Sequence, residues 1–428
     1  MSPGCTSRTA PTRRGKPTGT RTPNRSTINQ RLRECAHNAE FTLERVNAFL
    51  LDKHHLAPHT KIDDIIQITE DIAGLHATGS TTPYFSLFAR TTDFKKRHLD
   101  DALYEQPVLG KIRCVRKTIY IHTQAMLPVM YRATAALVEN ASRRYMHAQG
   151  ISQEMFDRLS RSIQELLADQ DMSASEIKAA LEIEHPVSAI LYYMCDLGLL
   201  LRRKPVRSWK DRSLRYGLFR KYFADVELDA LGEQEALTRL IEKYLSAFGP
   251  VSENDLQWWT GLGKTTIREA LSTLRSQITQ IEIEGLEGNY LVCQSEEGRL
   301  RETVQGGRRI VTLLPSLDSY LMGYKERRRY LDPQYTNWLF DRSGNATSTI
   351  LLDGKAVGVW DFEEGNPLML KIFLFIKVPG DTRKELFAKA AQLGEFIAER
   401  EVQLWECTSM LPLPERPAGG FLTPLKGC

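Results

Sequence analysis

The sequence predicts an α+β protein of three tandem winged helix-turn-helix units followed by a small C-terminal β-barrel. Three observations lead to this fold class. The order helix, helix, two-stranded ribbon recurs along residues 38–300, short β-rich runs begin near residue 308, and 428 residues suffice for about two to four domains. The predicted boundaries, in chain order, are a basic disordered tail at 1–37, winged helices at 38–148, 149–228 and 229–300, the β-barrel with its closing helix at 301–408, and a loose tail at 409–428.

The first unit begins with a helical pattern in AEFTLERVNAFLLDKHHL, where apolar residues recur at near-helical spacing. A second helix over 61–74 is predicted to end at Gly74, because glycine is favoured at helix ends. The runs YFSLFARTTDF and KRHLDDALYE predict two more helices, and KIRCVRKTIYIHT predicts a strand pair. Helices followed by a ribbon are typical of a winged helix.

The second unit repeats this order. Residues 152–170 are predicted to be helical, and Ser173 and Glu176 form a capping box before the next helix. Pro186 lies in the first turn of a further helix, PVSAILYYMCDLGLL. The run LLRRKPVRSWKDRSLRYGLF then predicts a ribbon, which serves as the second wing.

The third unit starts with the helix EALTRLIEKYLSAF, which is predicted to end at Gly249-Pro250. Ser252 and Asp255 begin the next helix, and Lys264–Ser276 forms the one after it. The runs QIEIEG and NYLVCQ predict the two strands of a third ribbon.

The β-rich region consists of four short runs: RRIVTLLPSLD, TNWLFD, STILLDGKAVGVWDF and LMLKIFLFIKV. Asp353-Gly354 is a turn dipeptide that predicts a tight hairpin. The run TRKELFAKAAQLGEFIAER predicts an amphipathic helix that closes a small barrel or sheet.

The charge distribution limits how this protein can bind nucleic acid. The chain carries 57 basic and 53 acidic residues, a net charge of +4. Residues 1–33 hold eight basic residues and no acid, which leaves 49 basic against 53 acidic residues in the remainder. Contact with nucleic acid would therefore depend on local patches rather than on a general positive field. The tail is interpreted as a solvated segment or, alternatively, as an arm that adds phosphate contacts.

Several classes of protein are excluded by the composition. No run approaches the ~20 apolar residues that span a bilayer. The seven cysteines are dispersed without a CxxC pair, which predicts reduced thiols in a cytoplasmic protein. The run GLGKTT is not a phosphate loop, since Trp258 occupies the position of the required glycine. His54, His55 and His59 are expected to be surface polar residues, and no metal or other cofactor is predicted.

Basic residues concentrate at places where they could contact a DNA backbone. The predicted contacts lie in the first wing, in the second wing, at the start of a helix in the third unit and in a later basic segment: Arg113, Arg116 and Lys117; Arg202, Arg203, Lys204, Arg207, Lys210, Arg212 and Arg215; Lys264; and Lys325, Arg327 and Arg328. The alternative is that these residues only form surface ion pairs with the acidic remainder.

Four motifs, in this order along the chain, carry a resemblance to a known family. They are RCVRKTIY at 113–120, YLSAFGPVSENDLQWWTGL at 244–262, LLPSLDSYLMGYKERR at 313–328 and DGKAVGVWDF at 353–362. Together they resemble the winged-helix DNA glycosylase family that includes AlkZ and YcaQ, over about residues 40–400. The resemblance implies three tandem winged helices, a C-terminal β-barrel, and removal of alkylated purines, including cross-linked ones, without fully flipping the base.

The resemblance also implies the site residues. The family's catalytic Gln-x-Gln or Gln-x-Asp motif corresponds to GLHATG, where His76 and Thr78 occupy the two positions. His76 can accept a proton and orient water, whereas Thr78 can only form hydrogen bonds. Asp318 is expected to brace the segment beside the site. Thr118, which is also expected to contact DNA, matches the threonine of the family's first wing, whereas Tyr120 stands where histidine is common.

Two hypotheses follow. The first is a monofunctional DNA N-glycosylase that hydrolyses the glycosidic bond of alkylated or cross-linked purines. The second is a non-catalytic, regulatory winged-helix DNA-binding protein. In both, the expected partner is double-stranded DNA, without a membrane or a nucleotide cofactor, and the protein is expected to be a cytoplasmic, nucleoid-associated monomer.

Overall fold

The computed structural model describes residues 40–304 and 309–415, so the predicted tail at 1–37 and residues 416–428 of the predicted C-terminal tail lie outside the described residues. The first part of the fold packs short helices on a small antiparallel sheet of order β1-β3-β2. Its elements are α1 (Leu43–Lys53), α2 (Ile65–Asp71), β1 (Leu75–His76), α3 (Thr82–Arg90), α4 (Lys96–Asp100), β2 (Leu109–Arg113) and β3 (Ile119–Thr123).

Gly74 lies where the chain passes from α2 into β1. Its φ of 98° is in the left-handed region, and a Cβ atom placed on it would lie 2.4 Å from Cε1 of His122. A side chain here would therefore meet both backbone strain and a steric clash. The turn sets the start of β1, and with it the position of His76.

The second part contains a 22-residue helix, α5, that the sequence patterns above do not include. It leads from the first sheet to a three-stranded sheet of order β4-β6-β5. The elements are α5 (Leu127–Ala148), α6 (Gln153–Leu166), β4 (Met172–Ser173), α7 (Ala174–Ala180), α8 (Val187–Asp196), β5 (Leu200–Pro205), β6 (Leu214–Leu218) and α9 (Phe219–Tyr222). The predicted capping box is confirmed, since the Ser173 hydroxyl accepts from Glu176 N and the Glu176 carboxylate accepts from Ser173 N.

The third part consists of helices and a two-stranded antiparallel ribbon. Its elements are α10 (Glu233–Phe248), α11 (Glu253–Thr260), α12 (Lys264–Thr273), β7 (Ile278–Ile281), β8 (Tyr290–Cys293) and α13 (Gln294–Glu302). Ser252 and Asp255 cap the start of α11 reciprocally, as the sequence predicts.

The C-terminal part is a mixed five-stranded sheet of order β13-β12-β11-β10-β9, in which only the β12–β13 pairing is parallel. Its elements are β9 (Val311–Leu314), α14 (Ser319–Met322), α15 (Thr336–Leu339), β10 (Thr349–Leu352), β11 (Lys355–Glu363), β12 (Leu368–Leu374), α16 (Gly380–Ala398) and β13 (Val402–Glu406). Within the described ranges no pairing joins β13 to β9, so closure into a barrel stays a prediction. The predicted hairpin between β10 and β11 is confirmed, because Asp353 and Gly354 both have positive φ values, 51° and 79°.

The prediction of a strand at TNWLFD is wrong, since Thr336–Leu339 forms the helix α15. Asp332 caps a helical turn directly before it by accepting from Gln334 N, so the chain enters this segment in a helical conformation. The Trp338 indole then donates to Met410 O at 2.9 Å, a tertiary contact that no local pattern contains.

Cysteine and histidine residues differ in part from expectation. Cys114, Cys195 and Cys293 are free thiols, whereas Cys407 takes part in a disulfide bond, so the expectation of reduced thiols is wrong there. Distance in the fold, not spacing in the sequence, decides whether a disulfide forms. His54, expected at the surface, is fully buried, because its ring packs on Phe248. No helix in the described part of the chain is long and apolar enough to cross a membrane.

A buried ion pair ties α3 to the segment after β9. Arg90 and Asp318 are both fully buried, and the guanidinium donates two hydrogen bonds of 2.8 Å to the two carboxylate oxygens. Asp318 also accepts from the Ser86 hydroxyl at 2.6 Å and from Tyr320 N at 3.0 Å, which caps α14. Every lone-pair direction of this carboxylate is therefore used inside the protein.

Replacing Asp318 by asparagine should lower the free energy of unfolding by about 3–5 kcal/mol, because Arg90 would remain charged and buried without its partner. Denaturant titration followed by circular dichroism measures this. The matched control is Glu235→Gln, which breaks an exposed 2.7 Å pair with Arg239 and should cost under about 0.5 kcal/mol. Equal stability of the two variants would contradict the assigned role of the buried pair.

Candidate active site and basic surface

His76 is held inside the protein by the short strand β1, which pairs His76 with Tyr120 on β3. Only 2% of the residue is exposed, and its ring lies 4.8 Å from the Tyr120 ring. Its Nδ1 accepts a hydrogen bond from the backbone N–H of Thr78 at 3.4 Å. A nitrogen that accepts cannot carry the proton, so this geometry assigns the proton of the neutral ring to Nε2.

The electrostatic environment keeps His76 neutral. The pKa of His76 is lowered to about 3, mainly by burial and also by the positive charge of Arg116, while the negative charge of Asp318 opposes the shift. At neutral pH the imidazole is therefore uncharged and a weak base. Such a ring is better suited to donating a hydrogen bond through Nε2 than to removing a proton, a role other than the proton acceptor considered from the sequence.

Thr78, by contrast, is exposed. Its hydroxyl oxygen accepts from the backbone N–H of Ile119 at 3.3 Å, which fixes the side chain against the start of β3. A hydroxyl oxygen has a second lone pair and a proton to donate, so Thr78 retains hydrogen-bonding capacity toward solvent. The loop thus places a neutral buried imidazole and an exposed hydroxyl two residues apart.

Hydroxyl groups anchor both ends of the loop that carries these residues. Ser319 donates to Gly74 O at 2.9 Å, and Thr82 donates to Ser316 O at 3.0 Å. Between them, Ser80 donates to Lys210 O at 2.9 Å. The sequence reasoning missed these anchors. The only signal was the density of small hydroxyl residues in GSTTP and PSLDS.

The first-wing residues divide into internal and external groups. Arg113 pairs with the buried carboxylate of Asp196, and the Thr118 hydroxyl donates to Val115 O at 2.9 Å inside the turn. Arg116 is half-buried, with its guanidinium 3.9 Å from the centre of the Trp258 ring, whereas Lys117 is exposed. Of the predicted contacts on this wing, Arg116 and Lys117 have a side chain that is turned outward at least in part.

Burial contradicts the prediction that Arg202 and Arg203 face DNA, because each residue is only 5% exposed. Arg203 donates to the carbonyl oxygens of Leu103 and Tyr104 at 2.7 and 2.8 Å, and Arg202 lies 3.9 Å from the Asp196 carboxylate. These arginines neutralise and satisfy buried groups. A count of basic residues along a strand cannot separate such internal partners from surface charge.

The remaining second-wing residues lie nearer to solvent, although several have acidic partners. The predicted contacts comprise Lys204, 3.5 Å from Glu105; Arg207, 84% exposed and 3.3 Å from Asp211; Lys210, paired with Glu364; Arg212, exposed; and Arg215, 3.2 Å from Glu176. Most of these ion pairs are at least partly exposed and therefore weak. They leave Arg207 and Arg212 as the most accessible cations of this wing.

The tip of the second wing packs on the rest of the protein. The Trp209 ring lies 5.1 Å from Tyr84 and 5.7 Å from Phe85 on α3, and 6.2 Å from Phe396 on α16. Lys96 adds a cation–π contact at 4.9 Å. The tip therefore holds the helix that directly follows the loop of His76.

The basic segment of Lys325, Arg327 and Arg328 begins beside Asp255. The buried carboxylate of Asp255 accepts from Lys325 N at 2.7 Å and from Glu326 N at 2.9 Å. The Lys325 side chain is exposed, Arg328 pairs with Glu326 at 3.0 Å, and Arg327 is half-buried. Lys264 is exposed at the first position of α12. These side chains are accessible on a backbone that internal hydrogen bonds hold in place.

Comparison with known proteins gives consistent results. A family model described as DNA glycosylase AlkZ-like matches residues 69–396. The interstrand DNA cross-link repair glycosylase of Streptomyces sahachiroi is 26% identical over 131 residues, which are 30% of this chain, and the match spans only 34% of that relative. The solved structure of the Streptomyces sahachiroi DNA glycosylase AlkZ has a TM-score of 0.69 at 17% identity, covering 85% of this chain and 99% of that one. This last similarity shows that the two folds are alike.

Replacing Trp209 by alanine should loosen the loop of residues 76–82, because the wing tip loses its packing on α3. We expect a loss of about 2–3 kcal/mol in the free energy of unfolding, somewhat less than for a fully buried tryptophan. Hydrogen exchange should quicken at the amides of residues 77–82. The control is Arg207→Ala on the same ribbon, which should change neither quantity. Unchanged exchange in Trp209→Ala would contradict this role.

Proposed function

The chain belongs to the AlkZ-like DNA glycosylase family, and we propose that it is a monofunctional DNA glycosylase that hydrolyses the N-glycosidic bond of alkylated or cross-linked purines. Its substrate would be double-stranded DNA. The single observation that carries this proposal is the pairing of a neutral buried His76 with an exposed Thr78, at the positions of the family's catalytic motif. The name of the Streptomyces sahachiroi relative extends the proposal to interstrand cross-links.

In the proposed mechanism, one water molecule lies between the two side chains. His76 Nε2–H donates to the water oxygen, and the Thr78 hydroxyl oxygen accepts one hydrogen of the water. One water lone pair then remains for attack at C1′ of the damaged nucleotide. The bond from C1′ to the purine breaks, its electron pair neutralises the cationic alkylpurine, and the proton lost by water passes to solvent at the exposed Thr78.

This mechanism requires positioning more than strong base catalysis. A purine alkylated at N7 carries a positive charge, so its glycosidic bond is weakened before any enzyme acts. Correct placement of a nucleophile contributes much of an enzymatic rate by itself. A neutral imidazole with a pKa of about 3 fits such a role, since it provides a fixed donor over the whole physiological range.

We also propose the architecture that would present this site to DNA. The three helix–helix–ribbon units would be winged helices with the boundaries given above, and the five-stranded sheet with α16 would close into a β-barrel. The DNA backbone would contact the accessible cations: Arg116, Lys117, Lys204, Arg207, Arg212, Lys264, Lys325, Arg327 and Arg328. Arg90 and Asp318 would hold the loop of His76 from behind.

A second function, DNA binding without catalysis, is favoured by one observation. The family's motif has glutamine at the position of His76, and a ring whose pKa is about 3 cannot serve as a general base at neutral pH. In that case the basic surface would bind DNA and the loop would only contribute shape. Base release distinguishes the two functions directly.

Incubation with duplex DNA that contains N7-methylguanine should release the free base and leave an abasic site. Under single turnover, His76→Ala and Thr78→Ala should each slow release roughly a hundredfold, because each removes one contact to the water. His76→Gln should retain release, and His59→Ala, which alters a 70% exposed histidine, should not affect it. Tight DNA binding without base release by the wild-type protein would support the second function instead.

The release rate should be nearly independent of pH from about 5 to 9, because the lowered pKa leaves His76 neutral throughout this range and no proton is gained near 6.5. Single-turnover rates, corrected for uncatalysed depurination, provide the measurement. His59→Ala is again the control. A rate that falls with a midpoint near pH 6.5 in the wild type and not in His76→Gln would show that His76 titrates at its ordinary pKa.

A further inference from the structure

Arg116 has an unusual combination of backbone and side-chain environment. It lies in the turn before β3, where Arg116 and Lys117 have φ values of 53° and 60°. Left-handed backbone is unfavourable for any residue with a Cβ atom, and such conformations concentrate at binding and catalytic sites. The turn is held by the Thr118 hydroxyl and by the hydrogen bond from Lys117 N to Cys114 O, at 2.9 Å each.

The Arg116 guanidinium packs on an aromatic ring rather than on a hydrogen-bond acceptor. Its central carbon, Cζ, lies 3.9 Å from the centre of the half-buried Trp258 ring on α11. Within the part of the chain that the structure describes, no carboxylate lies within 4.0 Å of this group and no acceptor takes a hydrogen bond from it. A guanidinium has five N–H donors in a planar arrangement, so a stacked one without acceptors presents an organised set of donors.

Arg327 places a second cation beside the first. Its guanidinium lies 3.5 Å from the Phe340 ring and 5.8 Å from the Trp258 ring, and one nitrogen donates to Gly344 O at 3.1 Å. The Nε atom is buried without a partner, and among the described residues no carboxylate lies within 4.0 Å of Arg327. Burial is the main cause that lowers the pKa of Arg116, and the charge of Arg327 lowers it further, whereas Tyr120 and Asp341 raise it. The two cations therefore repel each other beside a shared aromatic ring.

The buried arginines of the described ranges, and some of the half-buried ones, have a carboxylate within 4.0 Å. Arg90 pairs with Asp318 at 2.8 Å, and Arg113 pairs with Asp196. A desolvated cation without a counterion is costly, and two such cations side by side are more so. Among the described residues Arg116 and Arg327 have no such partner, as is also true of Arg45 and Arg132, but Arg116 and Arg327 share the Trp258 ring. Asp341, whose charge raises the pKa of both, lies beyond 4.0 Å and accepts from Ser343 N and Asn345 N. A bound anion would supply the close partner that both lack.

The position of this pair determines which anion fits. Thr78 bonds to Ile119, three residues after Arg116, so the pair lies next to the loop of the proposed active site. The charge of Arg116 also reaches His76, because it contributes to lowering the pKa of His76. Planar N–H donors match the paired oxygens of a phosphodiester.

We propose that Arg116 and Arg327 bind one phosphodiester group of the DNA strand that carries the damaged nucleotide, and that Trp258 holds Arg116 in the orientation this contact requires. The proposal deepens the glycosylase function by naming a strand contact beside the site, and it rests on that function only in taking DNA as the ligand. The contact would set the register of the strand, so that C1′ of one nucleotide meets the water at His76.

The test combines a neutral phosphate analogue with protein variants. Duplexes would carry one N7-methylguanine whose sugar is fluorinated at C2′, so that the glycosidic bond resists hydrolysis. A single methylphosphonate would replace each phosphate in turn within three nucleotides of the lesion, and affinity would be measured by fluorescence anisotropy. At one position the wild-type protein should bind roughly tenfold more weakly, as expected for loss of a charge-assisted hydrogen-bonded contact.

In Arg116→Ala the methylphosphonate at that position should not weaken binding further, whereas methylphosphonates at other positions should still change the affinity. This result is the signature of direct coupling in a double-mutant cycle. Arg116→Lys keeps the charge but not the planar stack, and should lose most of the coupling. The matched control is Lys117→Ala, an exposed cation next in sequence, which should lower the slope of log affinity against log salt by about 1 yet retain the coupling. Unfolding curves for each variant verify that it is folded.

The outcomes are distinguishable from those of the glycosylase proposal, since binding is measured without base release. Coupling between Arg116 and one phosphate supports the proposed phosphodiester contact even if the protein proves unable to release any base. Equal effects of all methylphosphonates in the wild type and in Arg116→Ala would overturn it. Coupling seen with Lys117→Ala rather than Arg116→Ala would also overturn it, by assigning the contact to the neighbouring lysine.

Discussion

The buried pair of Arg90 and Asp318 is the interaction on which the geometry of the candidate site depends. It joins α3, which follows the loop of His76, to the segment after β9, more than two hundred residues later in the chain. Once these two segments are fixed, the hydroxyl bridges from Thr82 and Ser319 come into register. A buried ion pair is a modest source of net stability, but its directionality defines one arrangement of the two segments. The loop is therefore positioned from both ends by the C-terminal half of the protein.

The same packing sets the chemistry of the site. Burial makes His76 a weak base, while the Thr78 N–H assigns its proton to Nε2. Thr78 itself stays exposed because the loop turns outward after β1. The pair thus combines a fixed donor with an accessible hydroxyl, an arrangement suited to holding one water molecule. In this arrangement the positive charge of Arg116 opposes protonation of the imidazole, and in the proposed phosphate contact it would also attract the DNA backbone.

The secondary structure was largely predictable, because it depends on local patterns. The capping boxes at Ser173 and Ser252 and the turn at Asp353-Gly354 lie where the sequence places them. The errors have tertiary causes. The segment TNWLFD becomes helical between a capped turn and a contact to Met410. No sequence pattern included the parallel edge strand β13, because it depends on pairing with β12, which lies earlier in the chain, before α16. The basic residues show the same limit, since Arg202 and Arg203 are buried among partners that only the fold supplies.

The sequence by itself determined the order of helices and ribbons, the change to β-rich structure, and the loop that carries His76 and Thr78. These features are encoded in periodicity, capping residues and short motifs, all of which act within about twenty residues. Only the tertiary structure decided which charges are internal, why the imidazole is neutral, and that Arg116 and Arg327 meet at Trp258. The physical reason is that the burial of a charged side chain and its ion-pair partners come from segments that are distant in sequence. Burial and partners together set the free energy of the charged group.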